Sequence, residues 1–240
     1  MEQYTTACGV MLPEVDSVKN YPLVFYKVSE EWQEFLRWAS DVFKGELDND
    51  FKKKIAIACN TMYNAGGIGI AANQMGFKEN WCIIDTECIK TGVKIPRVII
   101  NPKQETLYLI ESEKPSLEGC LSVPLGFKGT VMRPSAVSLD YINLKCEPET
   151  WNAVDLDACA VMHELDHLRG RLFIDHLSKL RQGFLEKKLV KVKKSVQHKI
   201  HNHNKQIIAQ VKKLNQMAAF GHRKEEVPLE VEQPEEIELE

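Results

Sequence analysis

Residues 153–169 of this chain form the segment that most restricts its fold. The segment, AVDLDACAVMHELDHLR, places apolar residues at helical spacing and is followed by Gly170, a natural stop for a helix. A mostly apolar helix needs neighbours on most of its surface, so we expect this one to be central and buried. The fold must therefore also bury the ionisable side chains of the HELDH sequence at 163–167.

The HELDH sequence is typical of a divalent-metal site that activates water. Residues four positions apart lie on one face of a helix, so His163 and His167 can present two imidazole nitrogens to one ion. Glu164, beside the first ligand, can reach a water on the ion. A chance HExxH is the alternative, but burying two imidazoles and two carboxyls without a purpose would be costly. The segment therefore indicates a metallohydrolase.

The third metal ligand decides the class of enzyme, because a catalytic ion usually has three protein ligands. The metzincin pattern HExxHxxGxxH continues as far as Gly170, but its last position holds Phe173, which cannot ligate. A thermolysin-like protease would use a downstream glutamate such as Glu186, which lies in a basic run where pairing with lysines is the simpler explanation. The remaining candidate is Cys120, within EGCLS at 118–122, because a thiolate binds Zn or Fe(II) strongly.

The charge distribution divides the chain into three parts. Residues 178–224 hold 13 Lys/Arg against the single acid Glu186, whereas residues 225–240 hold eight Glu and no base. We therefore predict a catalytic domain over 1–177, a basic helix over 178–224 and a disordered acidic tail over 225–240.

The N-terminus lacks a signal or transit pattern, and no apolar run could span a membrane. The seven scattered cysteines suggest reduced thiols. A cytoplasmic, monomeric protein is expected.

The periodicity of apolar residues changes along the chain. Helical spacing predicts helices over 30–44 and 49–65, with Asp48 or Asn49 as the cap of the second. Short alternating runs between 80 and 146 predict strands. Ser178 can cap a long C-terminal helix that reaches about residue 218.

Three separated segments resemble the motifs of peptide deformylases. GIGIAANQ at 67–74 matches the family's GxGxAAxQ, EGCLS at 118–122 is complete, and HELDH at 163–167 matches HExDH. All three occur in the family's order and spacing, and the resemblance covers about residues 20–185. It implies an α+β fold in which antiparallel strands surround the helix that bears HExxH. It also implies hydrolytic removal of the N-formyl group from the initiator methionine of nascent polypeptides.

The resemblance also implies a role for individual residues. Fe(II), or Zn or Ni in its place, would be held by Cys120, His163 and His167, and Glu164 would be the acid/base residue. A metal lowers the pKa of bound water from about 15.7 toward 7, which suits attack on a formamide at neutral pH. Donors to the formyl oxygen would be the Gln74 side chain and the backbone N–H of Leu121, and one such donor is typically worth about 3 kcal/mol.

The expected substrate pocket depends on the same resemblance. The methionine side chain would lie among Ile68, Leu156, Cys159, Ala160 and the ring of His163, although apolar residues on a buried helix are usually just core. Gly69 would let the backbone approach an extended substrate. Arg133 matches a family position near the substrate peptide, with pairing to a carboxylate of the body as the alternative.

Two other classes of function remain open from the residues alone, a zinc endopeptidase and a non-catalytic RNA-binding protein. The lysines of 178–224 could contact ribosomal RNA by releasing counterions, or the helix could be solvated or paired with the acidic tail. A phosphate-binding GxGxxG loop is excluded because Ala72 stands at the third glycine position. The chain departs from the family at Met162, where glutamine is common, and in its extension over 186–240.

Overall fold

The computed structural model describes residues 1–27, 29–103, 107–108, 112–190, 209 and 212. These residues form an α+β architecture of helices and antiparallel strands. The helices are α1 (Glu30–Arg37), α2 (Asn49–Asn64), α3 (Glu87–Thr91) and α4 (Leu156–Leu168), with 3₁₀ helices at Ala72–Met75 and Phe173–His176 and a further helix over 179–190. The strands are β1 (Gly69–Ala71), β2 (Trp81–Ile84), β3 (Arg97–Ile100), β4 (Leu107–Tyr108), β5 (Glu113–Glu118), β6 (Gly129–Pro134), β7 (Ala136–Ile142) and β8 (Pro148–Val154).

The strands form two sheets. Six strands make the larger sheet, in the order β1-β2-β3-β7-β4 with β8 also paired to β7, and β5 and β6 make a separate hairpin. The pairings between these described strands are all antiparallel. Successive side chains of a strand point to opposite faces. On β6 this alternation buries Val131 and Arg133 while Met132 remains exposed.

The larger sheet is covered on both faces, and this explains the uninterrupted apolar sequence of β2. Ile83 packs in one buried cluster with α2, whereas Cys82 and Ile84 pack in a second cluster with α4. A strand buried on both faces has no need of polar residues in alternate positions. Burying one such aliphatic side chain contributes about 1.5–3 kcal/mol. The sheet is thus the middle layer between α2 and α4.

Helix α4 begins later than the predicted 153–169 helix, because the chain up to Val154 is paired to β7 as part of β8. Asp155 separates the strand from the helix with a positive φ of 49°. The predicted stop is confirmed at Gly170, which has φ +70° and donates its N–H to His167 O at 2.9 Å. Helix α4 contacts strands of both sheets.

The two predicted N-terminal helices have different outcomes. Helix α2 is confirmed, with Asp48 accepting a hydrogen bond from Phe51 N at 2.9 Å as its cap. The helix predicted over 30–44 ends at Arg37, because the following backbone is engaged elsewhere: Ser40 N donates to Leu168 O at 2.8 Å. Local periodicity was outweighed there by hydrogen bonds to distant segments.

The first residues of the chain are part of its core. Glu2 and Val15 pair in an antiparallel bridge, and Tyr4, Leu12 and Val15 are buried in the same cluster as α2. Tyr4 also hydrogen-bonds Asn60 of that helix.

The helix over 179–190 begins after Ser178, as predicted, and Ser178 Oγ accepts from Arg181 N at 3.4 Å. Leu185 is buried against the cluster that includes Trp32, so the start of this helix packs on the body. Apart from residues 209 and 212, its predicted continuation and the acidic tail lie outside the described residues. Residues 104–106 and 109–111, in the region predicted to form strands, also lie outside them. Within the described residues, no helix is long and apolar enough to cross a membrane.

Candidate metal centre

Helix α4 and the loop after β5 bring together the three predicted metal ligands. The rings of His163 and His167 lie 5.1 Å apart on one face of α4. Cys120 Sγ lies 3.1 Å from His167 Nε2. One ligand atom from each of the three residues falls within 4.8 Å of the others. A sulfur and two imidazole nitrogens at this separation can hold one divalent ion.

The ring of His163 is held on two sides. Its Nδ1 lies 2.8 Å from Glu118 Oε2, and donation from Nδ1–H leaves Nε2 as the ligating atom. Phe173 stacks on the same ring, with 6.1 Å between centroids and 26° between planes. The residue at the metzincin ligand position therefore packs against the imidazole of His163. Burial opposes the charge of His163, but the contacts with Cys120 and Glu118 outweigh it and raise its pKa.

His167 is fully buried, and burial lowers its pKa well below the usual value. A neutral imidazole is the form that binds a metal. Its Nδ1 has no hydrogen-bond partner among the described residues, while its backbone oxygen accepts from Asn73 Nδ2 at 2.6 Å. Asn73 thus ties the GIGIAANQ segment to α4 at the second histidine.

Glu164 lies beside these predicted ligands, and within the described residues no lysine or arginine pairs with its carboxyl. Its side chain is buried, and Oε2 has no hydrogen-bond partner within the described part of the chain. Burial raises its pKa to about 7. The backbone of Gly69 approaches so closely that a Cβ at this position would collide with the carboxyl. A buried carboxyl that titrates near neutrality is suited to proton transfer.

The side chain of Gln74 has a fixed orientation next to the sulfur. Gln74 Oε1 accepts from Ala71 N at 2.8 Å, so its Nε2 is the end that faces Cys120. That nitrogen donates to Ser122 Oγ at 3.1 Å and lies 3.5 Å from Cys120 Sγ. Ser122 N also donates to the sulfur, at 3.4 Å.

Arg133 is buried in a network of carboxylates. Its Nε and Nη2 lie 2.7 and 3.0 Å from the two oxygens of Glu118, and its Nη1 lies 2.6 Å from Asp166 Oδ2. Only 3% of its side chain is exposed. These contacts correspond to the alternative role predicted for Arg133, pairing with the body, and its burial disfavours contact with a substrate peptide.

Asp166 Oδ2 also lies 2.8 Å from His176 Nε2. Three members of this network were missed from the sequence: Glu118, Asp166 and His176. Glu118 and Asp166 stand inside the EGCLS and HELDH motifs, and a carboxyl expected to be buried needs a partner, which was the available signal. Burial alone would raise the pKa of Glu118, but hydrogen bonds from His163 and Arg133 lower it to about 2. Glu118 therefore stays a carboxylate at neutral pH.

The expected pocket residues Leu156, Cys159 and Ala160 lie on the α4 face that also carries His163, at three- and four-residue spacing. Leu156 is 41% exposed, whereas Ala160 is buried. Ile68 immediately precedes β1, and its oxygen accepts from Asp85 N at 2.8 Å.

Two further positions bear on the sequence interpretation. Met162, the departure from the family pattern, is buried in the apolar cluster between α4 and the sheet. Glu186 pairs with Lys27 at 2.5 Å on the surface, with about half of its side chain exposed. It is therefore engaged in an ion pair away from the Cys120 cluster, as its basic surroundings suggested, although its partner is a distant lysine.

Two histidines on a buried helix, a cysteine beside them and a buried carboxyl form a candidate metal centre of the kind that metal-dependent hydrolases use. Residues 25–183 match the family model described as polypeptide deformylase. The chain is 36% identical over 157 residues to peptide deformylase 2 of Xanthomonas axonopodis pv. citri, covering 65% of this chain and 84% of that protein. It is 37% identical over 150 residues to a peptide deformylase of Bartonella bacilliformis, covering 60% and 81%.

A solved structure gives the same result for the fold. The crystal structure of a peptide deformylase from Legionella pneumophila is similar with a TM-score of 0.63 and 32% identity, over 73% of this chain and 96% of that one. The chain therefore belongs to the polypeptide deformylase family. It is an enzyme that hydrolyses N-formylmethionyl peptides and removes the formyl group from nascent polypeptides.

Proposed function

We propose that deformylation takes place at the cluster of Cys120, His163 and His167, with Fe(II) as the native ion and Zn or Ni as substitutes. The observation that carries this proposal is the separation of the three ligand atoms, all within 4.8 Å of one another, beside the buried carboxyl of Glu164. One soft sulfur and two imidazoles suit these metals, and three protein ligands leave a position open. A bound ion supplies Lewis acidity and lowers the pKa of a ligating water.

Glu164 is the proposed acid/base residue. Its carboxyl is buried near His163, and within the described residues its Oε2 has no hydrogen-bond partner, so it is available to take a proton from the attacking water. The same carboxyl then delivers the proton to the leaving amine, so the products are formate and a free N-terminal methionine. Gly69 keeps the space that this carboxyl occupies.

Gln74 and the backbone N–H of Leu121 are the proposed donors to the formyl oxygen. Gln74 Nε2 carries two hydrogens: Ser122 Oγ accepts one, and the second is directed at Cys120 Sγ, a weak acceptor 3.5 Å away from which a substrate oxygen could take it over. Because Ala71 N holds the other end of the amide, little reorganisation is needed when charge develops on that oxygen.

The methionine side chain of the substrate would lie along the α4 face of Leu156, Cys159 and Ala160, with Ile68 on the opposite side. The exposure of Leu156 makes it a candidate for the rim of this pocket, and the buried Ala160 a candidate for its floor. Gly69, one residue from Ile68, would let the extended peptide backbone approach. We do not assign a substrate contact to Arg133, because its guanidinium is buried and pairs with Glu118 and Asp166.

We also propose that the basic helix from residue 178 contacts ribosomal RNA, while residues 1–177 form the catalytic domain; the acidic residues 225–240 lie outside the described residues. Exposed basic residues support this on the described part of the helix: Lys179, Arg181, Lys187 and Lys188. A cytoplasmic monomer is the proposed state. The contact is tested by co-sedimentation with ribosomes at low salt after truncation beyond Val190 combined with replacement of these four residues by glutamine, which leaves the packed Leu185 in place. Undiminished co-sedimentation would contradict the contact.

The central experiment measures formate released from formyl-Met peptides by protein loaded with Fe(II) under anaerobic conditions. Cys120→Ala should abolish both metal retention and formate release. Cys146→Ser is the control, because Cys146 is an exposed free thiol distant in sequence from the three motifs. Cleavage of internal peptide bonds without formate release would identify an endopeptidase instead, and full activity of Cys120→Ala would exclude the proposed ligand set.

A further inference from the structure

A continuous series of side-chain contacts joins His176, at the surface, to the proposed metal ligand His163. His176 Nε2 and Arg133 Nη1 approach the same atom, Asp166 Oδ2, at 2.8 and 2.6 Å. Arg133 then holds both oxygens of Glu118, and Glu118 Oε2 lies 2.8 Å from His163 Nδ1. These five side chains come from β5, β6, α4 and the 3₁₀ helix at Phe173–His176.

The interior of this series is closed to water. The side chains of Arg133, Asp166 and Glu118 are 3%, 4% and 7% exposed, whereas that of His176 is 34% exposed. Hydrogen bonds strengthen in such a low-dielectric environment, and each of them fixes the geometry of the next. The planar guanidinium makes three directed contacts and transmits a rotation of one carboxylate to the other. A change at His176 therefore reaches Glu118 through Asp166 and Arg133.

His176 also offsets a charge imbalance. Two buried carboxylates, Glu118 and Asp166, share the single guanidinium of Arg133. An N–H from His176 to Asp166 Oδ2 compensates part of the remaining negative charge. If this donor were removed, Asp166 would compete with Glu118 more strongly for Arg133, and the hydrogen bond between Glu118 and His163 would lose its fixed geometry.

We propose that His176 is a positioning residue of the metal centre, because its contact with Asp166 fixes the carboxylate that orients His163. This inference rests on the proposed function, in which His163 ligates the ion. Mutation of the outer partners of ligating residues typically costs about 10–100-fold in metal affinity. His176 lies several contacts from the ligand, so the lower end of that range, about tenfold, is expected.

The test measures release of Co(II) from the full chain to an excess of chelator, followed by the visible absorption of the cobalt–thiolate centre. His176→Ala should release the ion about tenfold faster than the unsubstituted protein, in line with the effect of outer partners. His176→Gln should restore slow release, since its amide can donate to Asp166. It should also restore kcat, which falls in His176→Ala at unchanged KM.

Gln182→Ala is the matched control. Gln182 Nε2 donates to the backbone oxygens of Ile174 and Leu177, at 3.0 Å each, and so holds the segment around His176 without contacting Asp166. The rate of Co(II) release from Gln182→Ala should stay close to that of the unsubstituted protein. Equal acceleration in Gln182→Ala, unchanged release from His176→Ala, or no rescue by His176→Gln would overturn the proposed role. If the unsubstituted protein gives no cobalt–thiolate absorption, the metal centre itself is wrong, which is a distinct result.

Discussion

Gly69 packs so closely against the side chain of Glu164 that a Cβ added at position 69 would collide with Glu164 Oε1. Gly69 begins β1 and Glu164 lies within α4, so this contact joins the edge of the larger sheet to the helix that carries HELDH. A glycine is needed at this position because a larger residue would collide with the buried carboxyl. This reason is separate from the close approach of an extended substrate that was predicted for Gly69.

Replacing Gly69 with alanine should therefore displace the carboxyl of Glu164. A misplacement of about 1 Å can cost on the order of a hundredfold in rate, so we expect kcat for formate release to fall by about that factor. Metal content should remain unchanged, because neither residue is a proposed ligand. Gly183→Ala is the control, since a Cβ there meets no atom within 4 Å. Activity of Gly69→Ala close to that of Gly183→Ala would contradict the expectation.

Phe173 should contribute more to stability than any exposed phenylalanine. It is fully buried and stacks on the ring of His163, so Phe173→Ala should lower the free energy of unfolding by about 3–5 kcal/mol. Phe184 is 61% exposed, and Phe184→Ala should change it by no more than about 0.5 kcal/mol. Urea denaturation of the two variants checks this difference. Similar losses in both would mean that the packing around His163 is not tight.

Glu118 should make stability depend on pH in the acid range. Its folded-state pKa of about 2 lies below the ordinary value, so its contribution is present above about pH 4.5 and is lost as the pH falls toward 2. The contribution is on the order of 3 kcal/mol. In metal-free protein, the difference in unfolding free energy between the unsubstituted chain and Glu118→Gln should shrink over this range. Glu113 is an exposed carboxyl on the same strand, and it serves as the control. The difference in unfolding free energy between the unsubstituted chain and Glu113→Gln should stay small at every pH.

Replacing Asp155 with glycine should stabilise the protein. Its φ of 49° with ψ of −114° is a conformation that side chains disfavour, and its ion pair with Lys114 is highly exposed and worth little. We expect Asp155→Gly to raise the free energy of unfolding by about 1 kcal/mol. Asp155→Ala keeps the strained backbone conformation and should not raise the free energy of unfolding. A glycine variant less stable than the alanine variant, measured by thermal unfolding, would show that the turn is not strained.

The features of the candidate site whose geometry agrees with the prediction are those encoded locally or within motifs. The spacing of His163 and His167 requires only a helix to place both on one face, and the helix boundary at Gly170 follows from the residue itself. Cys120 required more, because it lies 47 residues before His167 and only elimination of Phe173 and Glu186, together with the family motifs, pointed to it.

The parts that were not predicted depend on pairing between distant segments. Residues after Arg37 have helical periodicity, yet their backbone bonds to Leu168 and Lys78. Val154 reads as the start of a helix but pairs with Ala136 in the sheet. The network around Arg133 joins residues 15 and 33 positions apart, and no local pattern specifies which buried carboxylate meets which cation.

The packing of the N-terminal residues has a consequence for the extent of the folding unit. The family match begins at residue 25, yet Tyr4, Leu12 and Val15 lie in the core against α2. A chain trimmed to the matched residues would expose the apolar side of α2, including Ile55 and Met62, to solvent. The segment that the family model matches and the segment that packs around α2 are thus different lengths of chain, and removal of the first residues would take side chains out of that core.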